Sequence, residues 1–399
     1  MYCNPDKDCM PQRNLFVIKI MEPVILIISL LFLIAYSFLI IYYRQSWLSI
    51  PTFKPAENSI PQTKISIIIP ARNEALNIGD CLNSIVDQCY PKHLYEVLVV
   101  DDHSTDKTAE IIASYRHQNI QLISLKDFVA PNEINSYKKK AIEIAIRQST
   151  GELIITTDAD CIAPPNWLQT IAAFYQEQKP VFIVMPVAIN CSNRFVEIFQ
   201  SLDFMTLQGI TGASVHKKFH SMCNGANLAY TKNAFNEAGG FKGIDTIASG
   251  DDMLLMHKIF KLYPNGIAYL KSKEVIVRTE PVHTITQFFN QRIRWASKAD
   301  KYDDKRIIAV LILVYFFNVW IFILGVAVFF FKVGFYFIAL IAAKTVIELF
   351  FLYPVARFFN KQIILRWFPL AQPFHILYTI TAGWLGKFGS YQWKERKVN

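Results

Sequence analysis

Two aspartates one residue apart, Asp158 and Asp160, follow an apolar run at residues 153–157. The run is typical of a buried β-strand, so both carboxylates are expected where this strand leaves its sheet. Oxygen ligands in such a position can hold a hard divalent cation that keeps part of its coordination shell for a phosphate. An exposed turn is the alternative, because the same spacing is common there. The interpretation as a Mg²⁺ or Mn²⁺ site therefore depends on the segments around the pair.

Two further apolar runs break into polar turns that carry charged side chains. The first turn contains Pro70, Arg72 and Glu74, and the second contains Asp101 and Asp102. Carboxylates at strand ends can accept hydrogen bonds from a uracil imide or from ribose hydroxyls, and helix N-termini favour anions. Helix capping is the alternative interpretation, since polar residues open helices in any protein.

Two charged segments lie nearer the middle of the chain. The lysine run Lys138 to Lys140 can contact a phosphate or form a solvated charged face. The pair Asp251 and Asp252 opens an amphipathic helical pattern. A carboxylate there can serve as a general base if it lies within hydrogen-bond reach of a hydroxyl. The helix dipole alone also favours acids at that position.

The segment 291–295 combines an amide, two guanidinium groups and an indole, in Gln291, Arg292, Arg294 and Trp295. An indole can pack on the flat C–H faces of a sugar, and a guanidinium can meet a diphosphate. The alternative is an interfacial helix with a Trp anchor and a basic flank.

The elements that must position these residues form an α/β domain between residues 65 and 301. Strand-like runs alternate with helical patterns, which favours a mostly parallel sheet covered by helices. Ligands bind such sheets at the carboxyl ends of the strands, where the polar segments fall. The predicted strands are 65–69, 96–100, 120–125, 153–157 and 181–186, and the predicted helices are 78–88, 108–116 and 138–148.

Composition places apolar segments on both sides of this domain. The sequence is 52% hydrophobic, and the excess lies at the two ends. Three runs are about long enough to cross a bilayer, at 24–43, 307–331 and 333–353. The segment 363–385 is interrupted by charged residues and prolines, so it can span the membrane, re-enter it or lie in the interface. We therefore predict membrane helices before and after the domain.

The formal net charge is +9, and much of the basic excess flanks the apolar runs, as is typical of cytoplasmic loops. No recognition-helix or zinc-finger pattern accompanies this charge, which argues against a nucleic-acid partner. We predict a multi-pass protein of the cell (inner) membrane with its α/β domain in the cytoplasm. Its predicted parts are an outer segment 1–23, a linker 44–64 and a membrane region 302–399 that ends in a re-entrant or interfacial segment.

Four of these motifs, taken in chain order, resemble those of the membrane-bound, processive-type branch of the family-two inverting glycosyltransferases. That branch includes cellulose, hyaluronan and poly-N-acetylglucosamine synthases and the ceramide glucosyltransferases. Its pattern is an Asp in a Val-Val-Asp-Asp turn, an Asp-x-Asp, a later acidic pair and Gln-x-x-Arg-Trp. The resemblance extends over residues 65–301 and implies the GT-A fold, a Rossmann-like nucleotide-sugar domain.

The resemblance also implies a role for each motif residue. The turn with Pro70, Arg72 and Glu74 would bind the nucleotide-sugar together with Asp101, Asp102, Asp158 and one of the lysines Lys138, Lys139 and Lys140. Asp158 and Asp160 would hold Mg²⁺ or Mn²⁺, and Asp252, after Asp251, would be the catalytic base. Gln291, Arg292, Arg294 and Trp295 would meet the acceptor and the diphosphate.

The expected reaction moves a sugar from a UDP-sugar to a lipid or lipid-linked glycan, forming a β-glycosidic bond. A processive polysaccharide synthase that exports its product is an alternative, although only three apolar segments follow the domain, so a partner subunit or homo-oligomer would have to complete a channel. A catalytically silent nucleotide-sugar-binding subunit is another alternative, which the presence of every expected acid disfavours.

Overall fold

The α/β part of the chain lies between long helices at both ends. The structure is a computed structural model that describes residues 12–56, 58–116, 118–130, 133–192, 194–219, 222–247, 249–297, 304–388, 391–393 and 396–398. The helices are α1 (Gln12–Ser49), α2 (Ile78–Val86), α3 (Thr108–Ser114), α4 (Tyr137–Gln148), α5 (Trp167–Gln178), α6 (Phe195–His216), α7 (Lys232–Glu237), α8 (Met253–Leu262), α9 (Ile285–Ala296), α10 (Lys305–Ala327), α11 (Gly334–Phe358) and α12 (Phe368–Phe388).

The strands are short except for the first two. They are β1 (Ile65–Ala71), β2 (Tyr95–Asp101), β3 (Ile120–Ser124), β4 (Leu153–Thr156), β5 (Cys161–Ile162), β6 (Phe182–Val184), β7 (Val187–Ile189), β8 (Leu228–Thr231), β9 (Ile267–Tyr269), β10 (Val277–Thr279), β11 (Tyr391–Trp393) and β12 (Arg396–Val398). Turns of 3₁₀ helix lie at Lys92–Leu94, Leu125–Asp127, Lys273–Val275 and Gln362–Trp367.

In the described part of the chain, the largest sheet has the strand order β3-β2-β1-β4-β8-β6-β9. Strand β1 pairs in parallel with β2 and β4, and β2 pairs in parallel with β3, as the alternation of strands and helices predicts. Strand β8 runs antiparallel between β4 and β6, so the sheet is mixed. The predicted strand at 181–186 is shorter, because the chain leaves the sheet after Val184 and enters a smaller sheet, β5-β10-β7.

The two faces of the sheet are buried in different cores. Successive side chains of a strand point to opposite faces. Ile67 and Ile69 therefore join the core formed with α2 and α5, whereas Ile68 joins a core that continues into α1, α10 and α11. Because this second core is continuous, the sheet and the long apolar helices pack as one unit.

Three helices in the described residues are long and apolar enough to cross a membrane: Glu22–Ser49 of α1, α10 and α11. Helix α1 continues beyond the predicted end at residue 43 and takes in 44–49 of the predicted linker. The reason is that Tyr43 and Trp47 are buried against the protein, and Pro51 disfavours helical backbone at the residue before it. The linker therefore begins at residue 50.

The other predicted spans shift by a few residues. Helix α10 ends at Ala327 rather than near 331, and α11 continues to Phe358 rather than ending near 353. The interrupted segment 363–385 folds as the 3₁₀ turn Gln362–Trp367 followed by α12, which contains Pro373. Residues 1–11 of the predicted outer segment and the basic residues Lys298 and Lys301 lie outside the described residues.

Helix α6 packs closely between α1 and α11. A Cβ on Gly212 would lie 2.8 Å from the ring of Trp47, and one on Gly209 would lie 2.7 Å from Val355, so only glycine permits both contacts. Lys271, which follows β9, donates hydrogen bonds to the carbonyls of Trp47 (2.7 Å) and Ile50 (3.3 Å) at the end of α1. These contacts fix the α/β domain on the helix that precedes it.

Candidate active site

The loops after β1 and β2 form one rim of the site, at the carboxyl edge of the sheet. The N–H of Asp102 donates to the carbonyl of Ala71 (2.8 Å), and the guanidinium of Arg72 donates to the carbonyl of Asp102 (2.8 Å). Asn73 and His103 adopt positive φ angles of 51° and 53°, which turn both loops away from the sheet. The two loops are thus held side by side.

Side chains of the second loop also accept hydrogen bonds from backbone N–H groups of the first. The N–H of Glu74 donates to Thr108 Oγ1 (2.8 Å), and the N–H of Ala75 donates to Asp106 Oδ2 (3.1 Å). Asp106 is slightly desolvated, but hydrogen bonds from Thr108 and Ala75 outweigh this effect and lower its pKa. These bonds join the two loops, whereas Asn77 before α2 and Lys107 before α3 make no side-chain capping bond, so the helix-capping alternative gains no support at these two helix starts.

Asp101 and Asp102 are both buried at this rim. Asp102 Oδ1 lies 3.0 Å from His103 Nδ1 and 3.8 Å from the Arg72 guanidinium. Asp101 Oδ1 is buried and has no hydrogen-bond partner among the described residues. Since buried polar atoms are nearly always paired, this oxygen is suited to accept a hydrogen bond from a ligand.

Three elements converge on the ammonium group of Lys138, at the start of α4. Its Nζ lies 2.7 Å from Asp158 Oδ1, at the end of β4, and 3.2 Å from Asp251 Oδ2, just before α8. Burial alone would lower the pKa of Lys138, but the carboxylates of Asp158, Asp251 and Asp252 outweigh it and raise the pKa. We name Lys138, Asp158, Asp251 and Asp252 the acidic cluster. Its lysine is charged throughout the physiological pH range.

Asp252 belongs to the same cluster and also caps α8. Its Oδ1 accepts from the N–H of Met253 (2.7 Å), and its Oδ2 accepts from the N–H of Gly225 (3.2 Å). A Cβ on Gly225 would lie 3.1 Å from Asp251 Oδ2 and 3.3 Å from Lys138 Nζ. Glycine at 225 thus lets the backbone approach the carboxylates, as the small residues around it suggest.

The neighbouring lysines point elsewhere. Lys139 is buried, and its ammonium donates to the carbonyls of Ile244 (2.7 Å), Ile247 and Ser249 (2.9 Å). An ammonium has three N–H donors, so the protein itself occupies those of Lys139. Lys140 lies 3.3 Å from Glu143. Of the three lysines, only Lys138 enters the cluster, so the predicted contact of Lys139 with a nucleotide-sugar is not retained.

Asp160 lies beside the cluster, one residue beyond the buried Ala159. Its Oδ2 accepts from Thr279 Oγ1 (3.3 Å) at the end of β10, which leads into α9. Asp158 and Asp160 are both half-buried. A Mg²⁺ or Mn²⁺ ion fits this donor set, because such hard cations take carboxylate oxygens and complete their shell with phosphate or water. Within the described residues, no group of three or more His, Cys, Asp or Glu forms a closed metal cage.

Helix α9 carries the motif 291–295 and begins with a capping box between Thr284 and Gln287. Arg292 is buried, and its Nε (2.9 Å) and a terminal nitrogen (2.6 Å) both contact Asp203 Oδ2 on α6. Its guanidinium also donates to Gln291 Oε1 (2.8 Å). Arg292 therefore faces α6, and its predicted contact with a diphosphate or acceptor stays a prediction.

Trp295 and Arg294 are both half-buried. The Trp295 ring lies 4.2 Å from the Arg292 guanidinium carbon and 6.1 Å from the Phe204 ring. The carbonyl of Arg294 accepts from Ser297 Oγ (3.0 Å), but its guanidinium has no hydrogen bond or ion pair with the described residues, so it is available to an anion. The sequence did not point to Asp203 or to the buried Asn227. The signal for Asp203 was an acid inside the otherwise apolar stretch 202–205.

Asn227 shows why small and amide residues follow Gly225. Its Oδ1 accepts from Trp167 Nε1 (3.0 Å), and its Nδ2 donates to the carbonyls of Pro186 (2.8 Å) and Val275 (2.7 Å). The amide ties β6, β8 and the 3₁₀ turn at 273–275 together beneath the site. This contact holds the Gly225 loop against the acidic cluster.

The sequence matches two family models. The glycosyl transferase family 2 model matches residues 66–239, and the glycosyl transferase family group 2 model matches residues 153–384. The probable glycosyltransferase YdaM of Bacillus subtilis is 24% identical over 271 residues, 64% of this chain and 59% of the relative. The beta-monoglucosyldiacylglycerol synthase of Synechocystis sp. is 25% identical over 248 residues, 60% of this chain and 48% of the relative.

The solved structure of mannosyltransferase PcManGT from Pyrobaculum calidifontis, in complex with GDP-Man and Mn²⁺, has a similar fold. The TM-score is 0.56 at 20% identity, over 88% of this chain and 99% of that one. The α/β part therefore has a GT-A-like fold with a mixed sheet. Because the second family model matches more than half of the residues, the chain belongs to glycosyl transferase family group 2 and is a glycosyltransferase. It spans 59% and 48% of the lengths of the two curated relatives.

Proposed function

We propose that this protein is a membrane-anchored, inverting glycosyltransferase that moves a sugar from a UDP-sugar to a lipid or lipid-linked glycan. The observation that carries the proposal is the convergence of Asp158, Asp251 and Asp252 around Lys138 at the carboxyl edge of the sheet. A carboxylate proposed to bind the donor, the proposed general base and the Lys138 ammonium therefore lie together.

The rim after β1 and β2 is suited to the nucleoside. The free Oδ1 of Asp101 can accept the imide N–H of uracil, while Asp102 holds Arg72 and His103 in place. Pro70, Arg72 and Glu74 lie at the β1 side of this rim. The cross-links between the two loops preorganise the rim, so little conformational entropy is lost on binding.

The diphosphate would lie against Asp158 and Asp160, with Mg²⁺ or Mn²⁺ held by their carboxylates. When bound, the ion supplies positive charge that stabilises the departing nucleoside diphosphate. Lys138 can exchange a carboxylate for a phosphate oxygen, because its ammonium is already at the strand end. Arg294 offers a second cation for the same charge. Electrostatic stabilisation of this kind is usually the largest catalytic contribution.

Asp252 is the proposed general base. Backbone N–H groups of Met253 and Gly225 fix its carboxylate, so an acceptor hydroxyl can approach in one orientation and transfer its proton. Attack from the side opposite UDP inverts an α-linked donor to a β-linked product. Gln291 and Trp295 would bind the acceptor, the indole by packing against the sugar or headgroup.

Three observations support a membrane acceptor. Among the described helices, Glu22–Ser49, α10 and α11 have the length and composition of membrane spans. Helix α9 lies directly before α10 and packs on α12. The Synechocystis relative is, by name, a beta-monoglucosyldiacylglycerol synthase. We place the domain on the cytoplasmic side of the inner membrane, where nucleotide-sugars are made.

The test is transfer by the purified protein in lipid nanodiscs with a panel of UDP- and GDP-sugars and added Mn²⁺. The expected product is a discrete glycolipid that extracts into organic solvent. Long, water-soluble, glycosidase-sensitive material would instead support the processive synthase. The Asp252→Asn variant serves as the control for contaminating activity. Donor binding without any transfer would contradict the proposal and favour a silent subunit.

A further inference from the structure

Asp203 lies in α6, in the buried stretch 202–205, and its side chain is only 3% exposed. Burying a carboxylate costs several kcal/mol unless good partners compensate it. Leu202, Phe204 and Met205 beside it are apolar and buried. The acid therefore occupies a place where an apolar residue would pack, and its contacts explain why it is there.

One oxygen of Asp203 holds Arg292. Two guanidinium nitrogens approach Oδ2 at 2.9 and 2.6 Å, and the Arg292 side chain is as buried as the acid. The guanidinium also contacts two rings of α9, with its central carbon 4.6 Å from the Phe288 centroid and 4.2 Å from that of Trp295. Cation–π contacts of this kind fix the orientation of the rings.

The Trp295 indole is thereby held on two sides. The Arg292 plane contacts it on α9, and Phe204, the residue after Asp203, contacts it from α6 at an interplanar angle of 40°. Trp295 keeps part of its surface exposed. An acceptor can reach this exposed part of the ring. The angle of the ring depends on the Asp203–Arg292 pair, because Arg292 contacts it.

The other oxygen of Asp203 faces α12. The hydroxyl of Tyr378 donates to Oδ1, and His375 Nε2 lies 4.0 Å away. Tyr378 also packs edge-on against Phe288 of α9, with 5.4 Å between centroids. A continuous set of contacts thus runs from Tyr378 through Asp203 and Arg292 to Trp295.

We infer that Asp203 is a positioning residue for the acceptor half of the active site. Its carboxylate fixes Arg292, and through it the Trp295 ring, and Tyr378 on α12 locks the carboxylate in turn. This inference rests on the proposed glycosyltransfer to a membrane acceptor. It assigns Arg292 a supporting role rather than contact with the diphosphate, and it makes acceptor binding depend on the Tyr378 hydroxyl of α12.

The test compares Asp203→Asn and Tyr378→Phe with wild type in nanodiscs. A matched control is the double variant Lys344→Met/Glu348→Gln, which removes another buried ion pair (2.7 Å) that contacts α1 and α12 but not α9. Measurements are the acceptor KM, kcat, UDP affinity by calorimetry, thermal stability and hydroxyl-radical labelling of Trp295 read by mass spectrometry.

For Asp203→Asn we expect transfer at subsaturating acceptor to fall by about 10²-fold, as expected when a positioned group shifts by about 1 Å. UDP affinity should stay within about twofold, because the donor rim is untouched, and Trp295 labelling should rise. Tyr378→Phe should change the same quantities in the same direction but less. The control should lose thermal stability while its acceptor KM and Trp295 labelling stay at wild-type values.

Unchanged Trp295 labelling and acceptor KM in Tyr378→Phe would overturn the inference, and this variant decides the question if Asp203→Asn does not fold. Equal changes in the Lys344→Met/Glu348→Gln control would also overturn it, because the effect would then be general loosening of the helices. Labelling needs no turnover. A wild type that transfers no sugar therefore refutes the proposed function, while the labelling still decides the positioning role.

Discussion

The acidic cluster and the Asp203–Arg292 pair are both built from charged side chains, yet their surroundings differ. In the cluster, Lys138 is shared by two carboxylates, with side-chain exposures of 23% for Lys138 and 35% for Asp158. In the pair, both side chains are 3% exposed, and two aromatic rings enclose the guanidinium. The cluster has more negative than positive groups, whereas the pair is balanced.

This difference separates two uses of charge. A partly exposed cluster with excess negative charge can exchange partners, because an incoming cation can replace the charge that Lys138 supplies to its carboxylates. A closed pair cannot exchange, since leaving one buried partner uncompensated costs about 3–5 kcal/mol. The first arrangement suits a site that exchanges ligands, and the second suits a contact that fixes the positions of side chains.

The largest expected effect comes from removing the divalent cation. Excess EDTA should abolish transfer, and Mn²⁺ or Mg²⁺ should restore it, because Asp158 and Asp160 leave unbalanced negative charge facing the diphosphate. Full activity in excess chelator, measured by product formation in nanodiscs, would remove the metal from the proposed mechanism.

Replacement of the proposed base comes next. Asp252→Asn should lower kcat by about 10²–10⁴-fold, the usual contribution of general-base catalysis. The amide oxygen can still accept from Met253 N–H, so α8 should keep its cap. Asp304→Asn is the matched control, because Asp304 caps α10 in the same way by accepting from Arg306 N–H (2.9 Å). Turnover of Asp252→Asn equal to that of the control would refute the assignment.

Lys138→Met should weaken UDP binding by about tenfold or more, since hydrogen bonds to charged groups contribute about 1.5–3 kcal/mol. It also leaves Asp158 and Asp251 facing each other without a cation. Lys140→Met, two residues along the same helix, should change UDP affinity by less than twofold, because Lys140 contacts Glu143. Calorimetry on both variants distinguishes them, and equal losses would show that α4 acts only through general positive charge.

The smallest expected effect concerns pH and the contact between α1 and the domain. Burial lowers the pKa of Lys271 from its ordinary value of 10.5 to about 8. Protonation therefore opposes folding: the penalty is fully present below pH 8 and disappears as pH rises through 10.5. The stability of wild type relative to Lys271→Met should thus increase between pH 8 and pH 10.5 in thermal unfolding. A flat or falling difference would contradict the lowered pKa.

Local sequence patterns predicted the parts of the site that are formed by one element each. The strand ends at 101–102 and 158–160 and the helix start at 252–253 follow from apolar runs that stop at acids. The choice among Lys138, Lys139 and Lys140 could not be made in this way, because each step along a helix turns the side chain by about 100°. Only the docking of α4 decides which lysine faces the strand ends.

The pairing of Asp203 with Arg292 was also beyond the sequence, since 89 residues separate them and no local pattern joins them. The extent of α1 was missed for a related reason. Hydropathy falls after residue 43, which suggested the end of a membrane helix, but Tyr43 and Trp47 pack against protein and prolong it. Tertiary contacts override hydropathy at such boundaries.

The buried ammonium of Lys139, surrounded by the carbonyls of Ile244, Ile247 and Ser249, has a consequence for the acid that follows. Rings of backbone carbonyls are the ligands by which proteins hold alkali-metal ions. Here the ammonium group is covalently tethered to α4, so its hydrogen bonds hold Ile244, Ile247 and Ser249 on that helix. The segment ahead of the acidic cluster is therefore held in place by a side chain of the protein, where other proteins use an ion from the medium.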